Sequence, residues 1–158
     1  MGPTVAGSGA PRQSARMGHR VMRSGSFSLP TTAERAMPLF TAEGERAWAP
    51  GWDPVFACDP HPDEPGQVWT THAHGVTTTW VTTARTATSA TYARVTPGHS
   101  AGTVSVSIAD TSSGCEVTTT YDLTSLGDDL AHLEHGFDEM LLEWQRLTTP
   151  LVVDLPEG

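Results

Sequence analysis

The chain has 158 residues, a single-domain length that can bury one core of its own. Its formal net charge is −9, and the charge is split: residues 1–30 hold four Arg and no acid, whereas the rest sets five Arg against eighteen acids. An acidic body disfavours nucleic acid or an anionic membrane as the main partner. There is no Lys, which excludes Schiff-base and P-loop lysine chemistry, and no Asn, which excludes N-glycosylation.

Residues 1–17 are rich in Gly, Ser, Pro and Ala and read as a disordered tail without the apolar segment of a signal peptide. No run is long and apolar enough to span a membrane, and Cys58 and Cys115 are the only cysteines. The expectation is a reduced, cytoplasmic protein with free thiols, no integral membrane association, and one domain over residues 18–148.

His19–Leu29 alternates and stops at Pro30, which predicts a first strand. Thr31-Thr32-Ala33-Glu34 fits a capping box, with Thr31 bonding forward and Glu34 reaching back. A helix over Thr32–Phe40, disturbed at Pro38, follows; Thr41 then caps a second short helix, Ala42–Ala49, ended by Pro50-Gly51. From there the period is two. Val55–Cys58 is a short strand and Asp59–Gly66 a polar turn. Val68–His74, Thr77–Thr86, Ser89–Thr96, Gly102–Ala109 and Cys115–Ser125 then read as strands with short connections, hence an antiparallel meander. Val104, Val106 and Ile108 face one way on one strand, and Val117, Thr119, Tyr121 and Leu123 on the next, so the sheet has one dry face.

Its cover is the stretch Ser125–Thr148. Leu130, Leu133, Phe137, Met140, Leu141, Trp144 and Leu147 recur at spacings of three and four, one arc of an amphipathic helix. Asp128 and Asp129 suit its first turn and Arg146 its last, against the helix dipole. Residues 149–158 read as a loose tail.

Strand, two short helices, meander and one long C-terminal helix is the element order of the helix-grip fold. Leu39–Trp52 (LFTAEGERAWAPGW), Tyr92–Gly102 (YARVTPGHSAG) and Val117–Leu126, ending in YDLTSL, resemble segments of the SRPBCC superfamily, the START-like and polyketide-cyclase-like proteins of bacterial type. The resemblance implies an α+β fold: a curved antiparallel sheet of about seven strands wrapped round the C-terminal helix, with two short helices after the first strand. It also implies a hydrophobic cavity between sheet and helix, and it carries no shared catalytic triad, metal site or cofactor.

Several motifs fail on context. Gly98-His99-Ser100-Ala101-Gly102 matches G-x-S-x-G, with Asp110 and His132 following in hydrolase order. A nucleophile elbow needs a helix after the turn, and Thr103–Ile108 alternates as a strand instead. Cys58 and His61 with His72 and His74 lack a second pair at zinc spacing. The acid clusters Asp59/Asp63/Glu64 and Asp138/Glu139/Glu143 read as solvated surface, and Glu134, at the edge of the apolar arc, is the helix acid nearest to a buried position.

The aromatic residues carry more. Trp69, Trp80, Tyr92, Arg94 and Tyr121 from the strands, with Gly136, Phe137, Met140, Leu141 and Trp144 from the helix, are the candidate pocket lining. Tyr92, Tyr121 and Arg94 are its polar tips, and Arg94 suits a ligand carboxylate. Gly136 leaves room for a ligand or a close strand. No catalytic motif stands in its required context, so the first reading is a binder of a small hydrophobic or aromatic molecule, lipid- or polyketide-like, acting as monomer or homodimer. The alternatives are an aromatase/cyclase- or dehydratase-type enzyme using the same cavity, and a co-chaperone-like or regulatory interaction module.

Overall fold

The structure, a computed structural model, describes residues 18–153. Seven antiparallel strands form one curved sheet. They are β1 (Arg20–Leu29), β2 (Val55–Phe56), β3 (Val68–Ala73), β4 (Val76–Thr86), β5 (Ser89–Thr96), β6 (Ser100–Thr111) and β7 (Gly114–Ser125). Their order across the sheet is β1-β7-β6-β5-β4-β3-β2. After β1 come a one-turn helix α1 (Ala33–Ala36) and two 3-10 turns, Met37–Phe40 and Gly44–Ala47. The long helix α2 (Ala131–Val152) closes the fold as the helix-grip architecture requires. None of the described helices is long and apolar enough to cross a membrane.

The strand alternation sorts as the sequence dictates. Val104, Val106, Ile108, Val117, Thr119 and Leu123 are all buried under α2 and the short helical turns. On the opposite face, Ser24 and Ser26 of β1 share hydrogen bonds with Thr120 and Thr118 of β7 across the exposed surface.

Three local expectations are corrected. The cap of α1 is Thr32, not Thr31: Thr32 is extended and its hydroxyl accepts from the Arg35 amide at 3.3 Å. The helix expected over Thr32–Phe40 is one α turn followed by a 3-10 turn, because Pro38 has no N–H to give. The second helix narrows to Gly44–Ala47, with the Thr41 hydroxyl accepting from the Gly44 amide at 3.0 Å.

The long helix is displaced toward the C-terminus. Asp128 and Asp129 lie before it, where their carboxylates accept from the amides of Leu130 (3.0 Å) and Ala131 (2.9 Å). Leu130 is the left-handed N-cap, with φ of 60°. At the other end the helix runs through Pro150 to Val152, so residues 149–152 are helical rather than loose. The Val152 side chain is buried, and the hydroxyls of Thr148 and Thr149 donate to the Trp144 and Gln145 carbonyls. The tail over residues 1–17 and residues 154–158 lie outside the described residues.

Candidate functional site

Strand register lays two rows of side chains under α2. One row runs Trp69 (β3), Trp80 (β4), Arg94 (β5), Gly102 (β6), Leu123 (β7), Val21 (β1). The next runs Thr82, Tyr92, Val104, Tyr121, Arg23. Gly102 adds no side chain between Arg94 and Leu123; a Cβ there would meet the Asp122 carbonyl oxygen at 2.0 Å, so the gap in the row is imposed by the backbone of β7.

A cavity of about 210 Å³ lies between the sheet and the first turns of α2. Leu123, Leu130, Leu133, Phe137 and Met140 form its apolar wall, and Arg94, Ser100, Tyr121, Asp128 and His132 its polar one. A second, inner hollow of about 40 Å³ lies deeper. It is walled by Trp52, Trp69, Trp80, Tyr92, Val104 and Trp144, and it receives Glu45. Tyr121 borders both spaces.

The inner hollow is held open by aromatic edges. Trp69 and Trp80 stack with centroids 6.0 Å apart, Tyr92 meets Trp69 edge-on at 5.5 Å, and Trp52 meets Trp80 edge-on at 5.5 Å. Their polar tips are fixed. The Tyr92 hydroxyl donates to the Phe40 carbonyl (3.0 Å), the Trp80 indole to the Thr71 hydroxyl (3.0 Å), and the Trp52 indole to the Ala42 carbonyl (2.7 Å). The Trp69 indole nitrogen is buried without a partner.

Burial also sets the ionisation of the site. Glu45, withdrawn from water, has its pKa pushed up to about 8. Desolvation, and then the nearby Glu45, raise both the Tyr92 and Tyr121 phenols above their ordinary value. Arg94 is lowered from the usual guanidinium range by desolvation, against which Tyr121 and Asp128 act. Its guanidinium lies over the Trp80 ring at 5.1 Å, Nη2 donates to the Thr96 hydroxyl at 3.2 Å, and Nε is buried with no acceptor.

Most of the predicted lining converges here, divided between the two spaces. Arg94, Phe137 and Met140 line the outer cavity, Trp69, Trp80, Tyr92 and Trp144 the inner hollow, and Tyr121 both. Leu141 and Gly136 line neither. Leu141 is buried against β1, and Gly136 faces open space, with nothing within 4 Å of where its Cβ would be. The close approach of strand to helix occurs instead at Gly25 of β1, where a Cβ would meet Leu141 Cδ1 at 2.6 Å and Phe137 Cε2 at 3.3 Å.

The acid that reaches the interior is Glu45, which sequence reasoning passed over in favour of Glu134. Glu134 sits beside His19 at 3.8 Å, and its carbonyl accepts from the Arg23 guanidinium, outside both cavities. The signal for Glu45 was a spacing of three: Ala42 and Trp48, three residues to either side of it and flanking the 3-10 turn, are both buried. The Ser of the G-x-S-x-G stretch opens β6 after a turn with Gly98 at φ of 79°, so strand follows strand; Ser100 nonetheless borders the outer cavity. Of the other candidate ligands, His61 stacks on Phe56 at 3.8 Å and His72 pairs with the Thr77 hydroxyl. Among the described residues no three His, Cys, Asp or Glu are placed to hold one metal ion.

No protein-family model and no curated protein sequence matches the chain. Solved structures do. Ara h 8.0201 superposes with a TM-score of 0.64 at 10% identity, covering 86% of this chain and 99% of its own. Norcoclaurine synthase of Thalictrum flavum, a point mutant in complex with a transition-state analogue, gives 0.64 at 8% identity over 85% of this chain and 95% of its own. A protein of Mesorhizobium loti gives 0.64 at 11% identity over 87% and 100%. At these identities the likeness establishes the helix-grip fold.

Proposed function

We propose that the protein binds a small, largely apolar molecule of one or two rings in the cavity between sheet and helix. The observation that carries this reading is the 210 Å³ hollow walled by Leu123, Leu130, Leu133, Phe137 and Met140. A dry apolar cavity of about 150 Å³ accepts benzene, and drug-sized ligands need upwards of about 300 Å³. The volume therefore favours a single aromatic or alicyclic unit over a long acyl chain. Burying the ligand's apolar surface supplies about 25 cal/mol per Å² before the costs of association. The resemblance to START-like proteins and the fold shared with a synthase solved with a transition-state analogue support a small-molecule-binding role. The interaction-module alternative expects a filled interior, and the hollow weighs against it.

The test is calorimetric titration with toluene or indole, before and after Met140→Trp fills the cavity. Binding by the wild type at micromolar to millimolar strength, weakened at least about tenfold in the variant, is the expected result. If neither probe binds the wild type, the reading fails.

A second reading has one observation in its favour. Glu45, with its pKa pushed up to about 8, and the Tyr121 phenol both line the inner hollow, an acid poised near neutral pH. Tyr121 borders the outer cavity as well, so this supports a cyclase- or dehydratase-type enzyme in which Glu45 moves a proton by way of the Tyr121 phenol. Its measure is solvent deuterium exchange at the carbons flanking the carbonyl of cyclohexanone: faster than buffer with the wild type and lost in Glu45→Gln. Exchange no faster than buffer removes the reading.

A further inference from the structure

We infer that the ligand of the outer cavity is a small monocarboxylate, its ring against the apolar wall and its carboxylate on the Arg94 guanidinium. The inference rests on the binding reading above and specifies its chemistry.

Arg94 is the argument. It stands on the inner face of the sheet, between Trp80 and the gap left by Gly102, and borders the cavity. A guanidinium carries five N–H donors. Among the described residues this one has a single hydrogen bond, from Nη2 to a neutral hydroxyl, and its Nε is buried without an acceptor. The described arginines near it in the fold are differently placed. Arg20 is paired with Asp122 at 2.6 Å, Arg85 with Asp63 at 2.9 Å, and Arg23 donates to the Glu134 carbonyl.

A partly desolvated cation short of acceptors is costly, and a planar anion that takes two N–H groups side by side offsets that cost. The guanidinium carbon lies over the Trp80 ring at 5.1 Å, a cation–π contact on one side of the group. The remaining groups facing Arg94 leave most of its N–H donors unfilled: Asp128 acts on it through space but makes no hydrogen bond to it. Tyr121 is neutral, and Ser100 is uncharged. Asp128 borders the cavity from an exposed loop, where its carboxylate already accepts from the Leu130 amide. His132 lines the same side and adds no negative charge. Glu45, in the inner hollow, keeps its proton at neutral pH. An incoming aromatic carboxylate thus meets an apolar wall and an underused cation in one cavity.

Phenylacetate and 2-phenylethanol separate the two ideas, because they share ring and length and differ in charge. By calorimetry the wild type is expected to bind phenylacetate at least about tenfold more tightly than the alcohol, a difference of about 1.4 kcal/mol. Arg94→Met should erase that preference, bringing phenylacetate and alcohol affinities to within about twofold of each other. Arg94→Lys, which keeps charge but not the fork, should retain part of it. Equal or stronger binding of the alcohol by the wild type overturns the carboxylate assignment and leaves the cavity reading standing. A preference for the acid that survives Arg94→Met overturns the role of Arg94. Failure of both probes to bind overturns the cavity reading and this inference with it. Should Arg94→Met not fold, the wild-type preference and the lysine variant decide.

Discussion

Glu45 shows how far one side chain's behaviour depends on placement. In an unfolded chain its carboxyl titrates near the ordinary 4.5; in the folded protein burial holds the proton up to about pH 8. Between those values the folded state binds a proton that the unfolded state has released. Stability through this group is therefore fully present below about pH 4.5 and declines as pH rises toward 8. The size is on the order of a few kcal/mol at most, because part of the residue outside its buried carboxyl stays exposed. Urea unfolding of wild type and Glu45→Gln at pH 5, 6.5 and 8 measures it. The variant should gain stability relative to wild type as pH rises; a difference independent of pH would show a carboxyl in contact with water. Other single residues were plainer in the sequence. Tyr121 fell on the dry face by counting in twos, Tyr92 and Arg94 were named with it as polar tips, and all three border the cavities.

Between elements, the decisive contact is α2 against β1. Gly25 lies in β1 opposite Thr119 of β7, and the Leu141 and Phe137 side chains fill the space over it. Arg23, two residues earlier on the same face, lies 5.6 Å from the Phe137 ring and 3.7 Å from Asp138, and donates to the Glu134 carbonyl, so one strand position clamps the helix. Gly25→Ala forces Leu141 from its place and should lower the unfolding free energy by about 1–3 kcal/mol, as overpacking does. Gly136→Ala, with open space around its Cβ, should instead raise it by up to about 1 kcal/mol through helix propensity. Thermal melts of the two variants check the contrast; shifts of the same sign would contradict the placement of the helix over β1. The sequence pointed to a small residue in this contact and placed it on the wrong partner. Helical periodicity identifies which face of α2 is buried, but not which strand residue lies beneath it.

At the scale of the whole molecule, curvature of the sheet and the offset of α2 leave unfilled space at one end of the core. Trp48 and Trp144 meet at 5.4 Å, and Phe40 joins them at 5.7 and 6.3 Å, so the middle of the fold is packed with rings. The cavity lies beyond that cluster, under Leu130 to Met140. A molecule that binds only the folded protein stabilises it by RT ln(1 + [L]/Kd), about 2.7 kcal/mol at a hundredfold excess over Kd. The titrations proposed for toluene, indole and phenylacetate should accordingly be accompanied by a rise in melting temperature that Met140→Trp reduces.

The sequence alone determined the meander, its dry face, the amphipathic C-terminal helix and the helix-grip order, because each rests on a short-range period or on chain order. It also placed most of the aromatic lining. Tertiary structure decided the rest. The ends of α2 moved because the left-handed Leu130 and the buried Val152, not the acids and the proline, set its limits. Glu45 reached the interior because a 3-10 turn carried it over the sheet, and Arg94 faces the cavity with its Nε buried and short of an acceptor. Those outcomes depend on which residues from distant strands and turns share one enclosed volume, and local periodicity carries no record of that.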